Sequence, residues 1–268
     1  MDSINNKVDK VVYVNPTYMD NSSAFPDKKS AHFSNINDAV NYLKFHKKST
    51  GAPHTPSLCL LDGTHIVSES IIVDFPLKIF GISQNCIIEP QIGSSISLET
   101  GDISSPLVHT SDGNCIFKLE KDSNNLNIFS MENIHFKCSI LSNGMICGIL
   151  ITNDSSFKEE NSISFKNIIF EGISNSYTSN TVYRIFKPIV WENLDTPTVT
   201  KTVQEFSHLY LENIKFINLA TNGYGVIMRV NGNNNRVRRL SARNCDFYSC
   251  RQFSSSNQVF CSSAKVEP

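Results

Sequence analysis

Long apolar runs are missing from this chain: none reaches the roughly 20 residues that a helix needs to cross a bilayer. The N-terminus, Met-Asp-Ser-Ile-Asn-Asn-Lys-Val-Asp-Lys, offers no apolar core for a secretory leader, so an intracellular or virion location is expected. Charge is scarce too, with 18% of residues Asp, Glu, Lys or Arg and a formal net charge of −1. That balance gives no global reason to expect nucleic acid or an anionic membrane as partner. The eight cysteines include no Cys-x-x-Cys pair, which argues against a zinc site. Without export they are expected to stay reduced and to pack as small hydrophobes. The seven histidines form no His-x-His or His-Glu-x-x-His group and read as surface or turn residues. The Ser/Gly-rich stretch 93–113 holds no phosphate-binding fingerprint. Neither a metal nor an organic cofactor is expected.

What is present is a repeat. Asn133-Ile-His-Phe136, Asn167-Ile-Ile-Phe170, Asn213-Ile-Lys-Phe216 and Asn244-Cys-Asp-Phe247 recur at spacings of 34, 46 and 31 residues. Four residues before each Asn stand Phe129, Ile163, Leu209 and Leu240, and two before it Met131, Phe165, Leu211 and Ala242. Immediately before it the residue is charged: Glu132, Lys166, Glu212, Arg243. Positions −4 and −2 therefore alternate as one strand with its apolar face inward, and +1 and +3 as a second. The phase slips by one residue at the Asn. A period of two cannot absorb that slip without turning every later side chain outward, so the chain must bend there. Asn tolerates the left-handed conformation of such a bend, and Asn133, Asn167, Asn213 and Asn244 are expected to stack as a hydrogen-bonded ladder.

A third strand precedes each pair, with candidates Cys115–Leu119, Cys147–Ile151, Arg184–Lys187 and Val226–Val230. Three short strands in a repeat of about thirty residues describe a coil whose turns bury their apolar faces against one another. The expected class is all-β: a right-handed, single-stranded parallel β-helix with an N-terminal capping α-helix. A β-sandwich would need antiparallel hairpins, whereas these units translate without alternating. Residues 1–57 are assigned to the first strand and capping helix and 58–268 to the coil, in one continuous domain. Within the cap, Lys10–Val14 reads as a strand, and Ser34 as the N-cap of a helix running to about Lys48. Ile36, Ala39, Val40 and Leu43 fall on one face of that helix.

Next come Leu58-Cys-Leu-Leu-Asp-Gly-Thr-His65, Ser70-Ile-Ile-Val73 and Pro76-Leu-Lys-Ile-Phe-Gly81. This order resembles the entrance of the pectate-lyase-like superfamily, which includes the pectin methylesterases. There a strand, an amphipathic helix and a Gly-Thr-Tyr turn lead into Ile-x-Val and Pro-Leu-x-Ile-x-Gly; His65 stands where that family has Tyr. The resemblance spans about residues 10–90, and the Asn-centred rungs extend it to about 261. It implies that the helix covers the open end of the coil and that any chemistry sits on an outer face. The galacturonase motifs of the superfamily do not occur here. No Asp pair matches the esterase arrangement, and Asp102, Asp112 and Asp122 show no lyase-type calcium pattern.

The remaining candidates are therefore binding residues. Arg229, Arg236, Arg238, Arg239 and Arg243 make a local basic cluster, read either as a solvated face or as a seat for an anionic or protein partner. Trp191, the single Trp, falls in the insertion that lengthens one spacing to 46 and reads either as packing or as a carbohydrate platform. The tail begins a further turn at Asn257–Cys261. Its end, 262–268, is expected either to leave a rung open for another chain or to fold back as a plug, with Lys265 and Pro268 discouraging further pairing. The expected function is a non-catalytic scaffold, with a lean from the Asn-, Ser-, Ile- and Lys-rich composition toward a virion structural protein of a large DNA virus. Its partners would be other proteins, met through the C-terminal end. The alternative is a diverged carbohydrate-active enzyme or binding module.

Overall fold

The computed structural model describes residues 11–17, 31–50, 55–91, 115–120, 128–138, 144–153, 162–172, 184–193, 206–221, 227–229, 237–252 and 265–267. Strands β1 (Val11–Val14) and β2 (Ala31–Phe33) precede helix α1 (Ile36–Thr50). The first rung is β3 (Ser57–Leu60), β4 (Gly63–Val67) and β5 (Ile71–Val73); the second is β6 (Leu77–Gly81), β7 (Cys86–Pro90) and β8 (Cys115–Leu119). In the third and fourth the two strands around the Asn run on as one. These rungs are β9 (Phe129–Lys137) with β10 (Gly144–Asn153), and β11 (Ser162–Glu171) with β12 (Arg184–Asn193). The fifth holds β13 (Phe206–Glu212), β14 (Lys215–Ile217), β15 (Ala220–Thr221) and β16 (Ile227–Arg229). The sixth holds β17 (Val237–Arg243), β18 (Asp246–Tyr248) and β19 (Arg251–Gln252), and β20 (Lys265–Glu267) follows.

Every described strand pair is parallel, each strand lying on the equivalent strand of the rung before it. A 13-stranded sheet runs along the coil, and a 5-stranded sheet in the order β16-β12-β10-β8-β5 faces it. That is a parallel β-helix, the fold that the pectate-lyase-like resemblance implies.

The bend falls where the slip in phase requires it. Asn133, Asn167, Asn213 and Asn244 have φ of 56°, 53°, 55° and 53°, in the left-handed region. Each amide donates one rung down: Asn244 to Asn213 at 3.1 Å, Asn213 to Asn167 at 3.0 Å, Asn167 to Asn133 at 2.9 Å. The ladder ends on the Gly81 carbonyl, 3.4 Å from Asn133 Nδ2. A Cβ on Gly81 would lie 2.2 Å from the Asn133 carbonyl oxygen, so a glycine is needed for the two backbones to approach.

A second bend, which the sequence reading missed, lies five residues after the ladder Asn. Asn218 and Ser249 have φ of 53° and 52° there. Gly172 stands at the same column position one rung earlier without a left-handed φ, and a Cβ there would come within 2.5 Å of the Asn218 carbonyl oxygen.

Inside the coil, side chains stack by column. Phe136, Phe170, Phe216 and Phe247 lie in register with centroid separations of 5.0, 5.7 and 4.9 Å and near-parallel rings. A second column runs Leu58, Ile79, Met131, Phe165, Leu211 and Ala242. The expected apolar face of α1, namely Ile36, Ala39, Val40 and Leu43, is buried in the same core as Val12, Val14, Leu58 and Leu60. Lys44 pairs with Asp74 at 2.8 Å and Asn37 with Glu69, fastening the cap to the first rung.

Several expectations need correction. The N-cap of α1 is Asn35, whose Oδ1 accepts the Asp38 N–H at 2.8 Å, and not Ser34. The helix continues past Lys48 to Thr50. β2 was not foreseen: three residues after a polar stretch, it is held by pairing with β1. Trp191 lies within the regular strand β12, in register with Ile151, and not in an insertion. The tail is no plug across the coil, because Lys265–Glu267 pairs in parallel with Arg239–Ser241 and prolongs the sheet. Asn257–Cys261, Asp102, Asp112, Asp122 and Arg236 lie outside the described residues.

Candidate interaction surface

Outward-facing positions of the long sheet are charged in an ordered way. Glu132, Lys166, Glu212 and Arg243 occupy one register position on four successive rungs, and their signs alternate. Lys166 and Glu212 approach to 3.8 Å. Past the bend, Lys137 stands beside Glu171, and Lys215 beside Asp246. A parallel, in-register stack puts like residues side by side, so alternating sign relieves the repulsion that a uniform column would build.

His135 Nε2 meets Glu171 Oε2 at 2.8 Å on this face. Burial lowers the His135 pKa, while the Glu171 carboxylate pulls the other way. Burial dominates, so at neutral pH the contact is a hydrogen bond from a neutral imidazole and not an ion pair. The thiols behave as expected of packing groups. Burial pushes Cys59 up to about 11, with Cys86 adding to the effect, and raises Cys138, Cys86, Cys245 and Cys250 as well. Protonated thiols are poor nucleophiles and poor metal ligands.

His65 departs from the reading of the histidines as surface residues. It is 2% exposed and stands in register with Ile88, which leads to Phe136 and the aromatic column. Its Nε2 donates to the Leu61 carbonyl at 2.8 Å, and its Nδ1 has no hydrogen-bond partner. Burial, opposed by that one hydrogen bond, lowers its pKa. The unfolded chain then binds a proton that the folded chain refuses. The stabilisation from a neutral His65 is complete above the ordinary histidine pKa of about 6.5 and is lost as pH falls below it. His135 shifts in the same direction, so a comparison isolates His65. Between about pH 7.5 and about pH 5.5 the urea midpoint of the native protein should fall more than that of His65→Phe. Equal falls would contradict the assignment.

The sequence-predicted binding residues do not converge. Trp191 and Arg229 occupy one register position of the 5-stranded sheet, on neighbouring rungs. Arg238 and Arg239 lie on β17 in the long sheet, in register with Ser207 and His208. Among the described residues there is no cluster of His, Cys, Asp and Glu suited to a metal ion. A cavity of about 10 Å³, lined by Val73, Phe75, Leu119, Ile151 and Ile163, is at the limit of room for one water.

The ladders do converge at the sixth rung. Phe136, Phe170 and Phe216 are fully buried, whereas Phe247, on the sixth rung of the same column, is 39% exposed. Arg243, Asn244, Asp246, Tyr248 and Ser249 are exposed beside it. β20 covers only Arg239–Ser241, and among the described residues no strand lies over Ala242–Tyr248. Arg243, Asn244 and Phe247 of the charge, asparagine and aromatic columns stand together on this half-rung. Sequence reasoning pointed to this end through its arginines and missed Asp246 and Tyr248, whose role follows from the column they occupy.

The chain is a parallel β-helix with an N-terminal helical cap. No protein-family model matches it, and no curated protein does. A solved structure, the crystal structure of the pectin methylesterase from Aspergillus niger, is similar with a TM-score of 0.32 and 12% identity, covering 96% of this chain and 91% of that one. At that level the likeness adds nothing to the strand pairing, and esterase activity is a property of that protein.

Proposed function

We propose that this protein is a non-catalytic scaffold, a stiff coil that presents flat, self-neutralised sheet faces to other proteins. The observation that supports this reading is the alternation Glu132, Lys166, Glu212, Arg243 along the outer face. Acid–base chemistry with carboxylates needs environments that push their pKa values apart, through burial or a like charge close by. Here each outward carboxylate of that column stands one rung from a cation, an arrangement that fixes register and leaves a level surface. A virion component is one such scaffold, and the Asn-, Ser-, Ile- and Lys-rich composition supports that placement. The test is incubation with polygalacturonate and methyl-esterified pectin, read by reducing ends, unsaturated product and released methanol. The expected result is no turnover above buffer. Turnover that disappears in Glu171→Gln or Asp246→Asn would overturn the scaffold reading.

A further inference from the structure

The first rung meets the cap at a histidine that has no provision for a charge. β4 and β5 pair with β7 and β8 of the second rung, and α1 packs against both. His65 and Val67 are the two buried residues of β4, and His65 stands in register with Ile88. Val67 and Ile88 share one core with Ile36, Ala39, Val40 and Leu43 of the helix. His65 Nε2 donates to the Leu61 carbonyl at 2.8 Å, which leaves Nδ1 as a buried lone pair without a donor. A proton on Nδ1 would find no acceptor there. Nor would it find a counter-charge, because the titratable groups around it are engaged elsewhere. On α1, Asp38 accepts from Asn35, Lys44 pairs with Asp74 at 2.8 Å, and His46 packs on Tyr42. On the first rung, Glu69 accepts from Asn37 and Asp62 from Ser83. On β7 the Cys86 thiol donates to the Leu60 carbonyl and Glu89 acts on Cys138, while His32 of β2 stacks on Tyr13. Burial and the Leu61 bond alone set the His65 pKa, and burial dominates.

We infer that His65 is an acid-sensitive latch beneath the cap: uptake of a proton at Nδ1 opens α1 from the first rung while the later rungs stay paired. An imidazolium must reach water, and the smallest opening that lets water in is the local one. The cap is held by the apolar face of α1 and by two polar fastenings, Lys44 to Asp74 and Asn37 to Glu69. The later rungs are tied to one another separately, by the asparagine ladder and the stacked phenylalanines. Opening uncovers Val67, Ile71 and Val73, apolar groups that the closed cap keeps buried. The first rung therefore offers an apolar surface in acid that it withholds at neutral pH.

One proton bound only by the open form raises the opening constant by about tenfold between about pH 7.5 and about pH 5.5. The test is amide hydrogen exchange of the full chain, followed by NMR at both pH values and corrected for the intrinsic pH dependence of exchange. At the lower pH the amides of Val40, Leu43 and Lys44 should be less protected than those of Phe165 and Leu211 on the fourth and fifth rungs. That difference marks an opening smaller than global unfolding. Protection in α1 should fall about tenfold from the higher pH to the lower, and the fall should be absent in His65→Phe and His65→Gln. Helix amides as well protected as Phe165 at the lower pH overturn the latch. An equal fall in the variants also overturns it and assigns the acid response to His32 or His46. If neither variant folds, the isotope-labelled His65 ring of the native protein decides. It should stay neutral for as long as α1 is protected, and a ring that takes up a proton beneath a protected helix overturns the latch.

Discussion

Replacing Phe170 with alanine should destabilise the protein by about 3–5 kcal/mol in denaturant titrations. The ring lies between Phe136 at 5.0 Å and Phe216 at 5.7 Å, nearly parallel to both and fully buried. Its removal opens a cavity between two rungs that cannot close without shifting the backbone of both sheets. The loss therefore contains the transfer term and the cavity term together. Phe247→Ala, at the exposed end of the same column, should cost much less, because water already reaches its ring. Equal losses at the two positions would contradict the stack.

Asn167→Val should cost about 2–5 kcal/mol, and the sum has two sources. A β-branched residue held at φ 53° is strained by about 1–2 kcal/mol. The two ladder bonds, to Asn133 at 2.9 Å and from Asn213 at 3.0 Å, contribute about 0.5–1.5 kcal/mol each. Asn167→Gly separates the sources, since glycine takes the left-handed conformation freely and loses only the ladder bonds. Valine should therefore be the more damaging substitution by the strain alone. A glycine variant as unstable as the valine one would mean that the bend imposes no strain.

The coil was legible because one residue type recurs where the phase must slip. The Asn at each bend, with apolar residues at −4, −2, +1 and +3, sets the register of four rungs, and the pairing of Ile163 with Leu209 and of Phe170 with Phe216 follows it. The second bend was not legible, because its left-handed φ falls at Asn218 and Ser249, two different residue types on two rungs, and not at Gly172 or Cys138 in the same column. A left-handed bend can be made by asparagine or serine, so the geometry of these two rungs recurs without the sequence recurring. His65 misled for a related reason. A histidine beside Gly63 and Thr64 looks like a turn residue, yet the period of two places it inward, and the core accepts it as a neutral ring. The alternating signs of Glu132, Lys166, Glu212 and Arg243 were visible in the sequence as charge. Their meaning depends on the parallel register that brings them together.

The sixth rung was only partly legible for the same reason. The arginines near the C-terminal end mark it in the sequence, but the register divides them. Arg229 belongs to the 5-stranded sheet, and Arg238, Arg239 and Arg243 to the long one. Only stacking shows that the aromatic, asparagine and charge columns meet on one rung.

The account rests on parallel rungs in a single register, and nuclear Overhauser effects in a deuterated, Phe-labelled sample test that most directly. Ring-to-ring contacts should form an unbranched chain from Phe136 to Phe170 to Phe216 to Phe247, matching centroid separations of 5.0, 5.7 and 4.9 Å. Strong Hα–Hα contacts between neighbouring strands, the mark of antiparallel pairing, or contacts that skip from Phe136 to Phe216, would contradict the coil and everything built on its register.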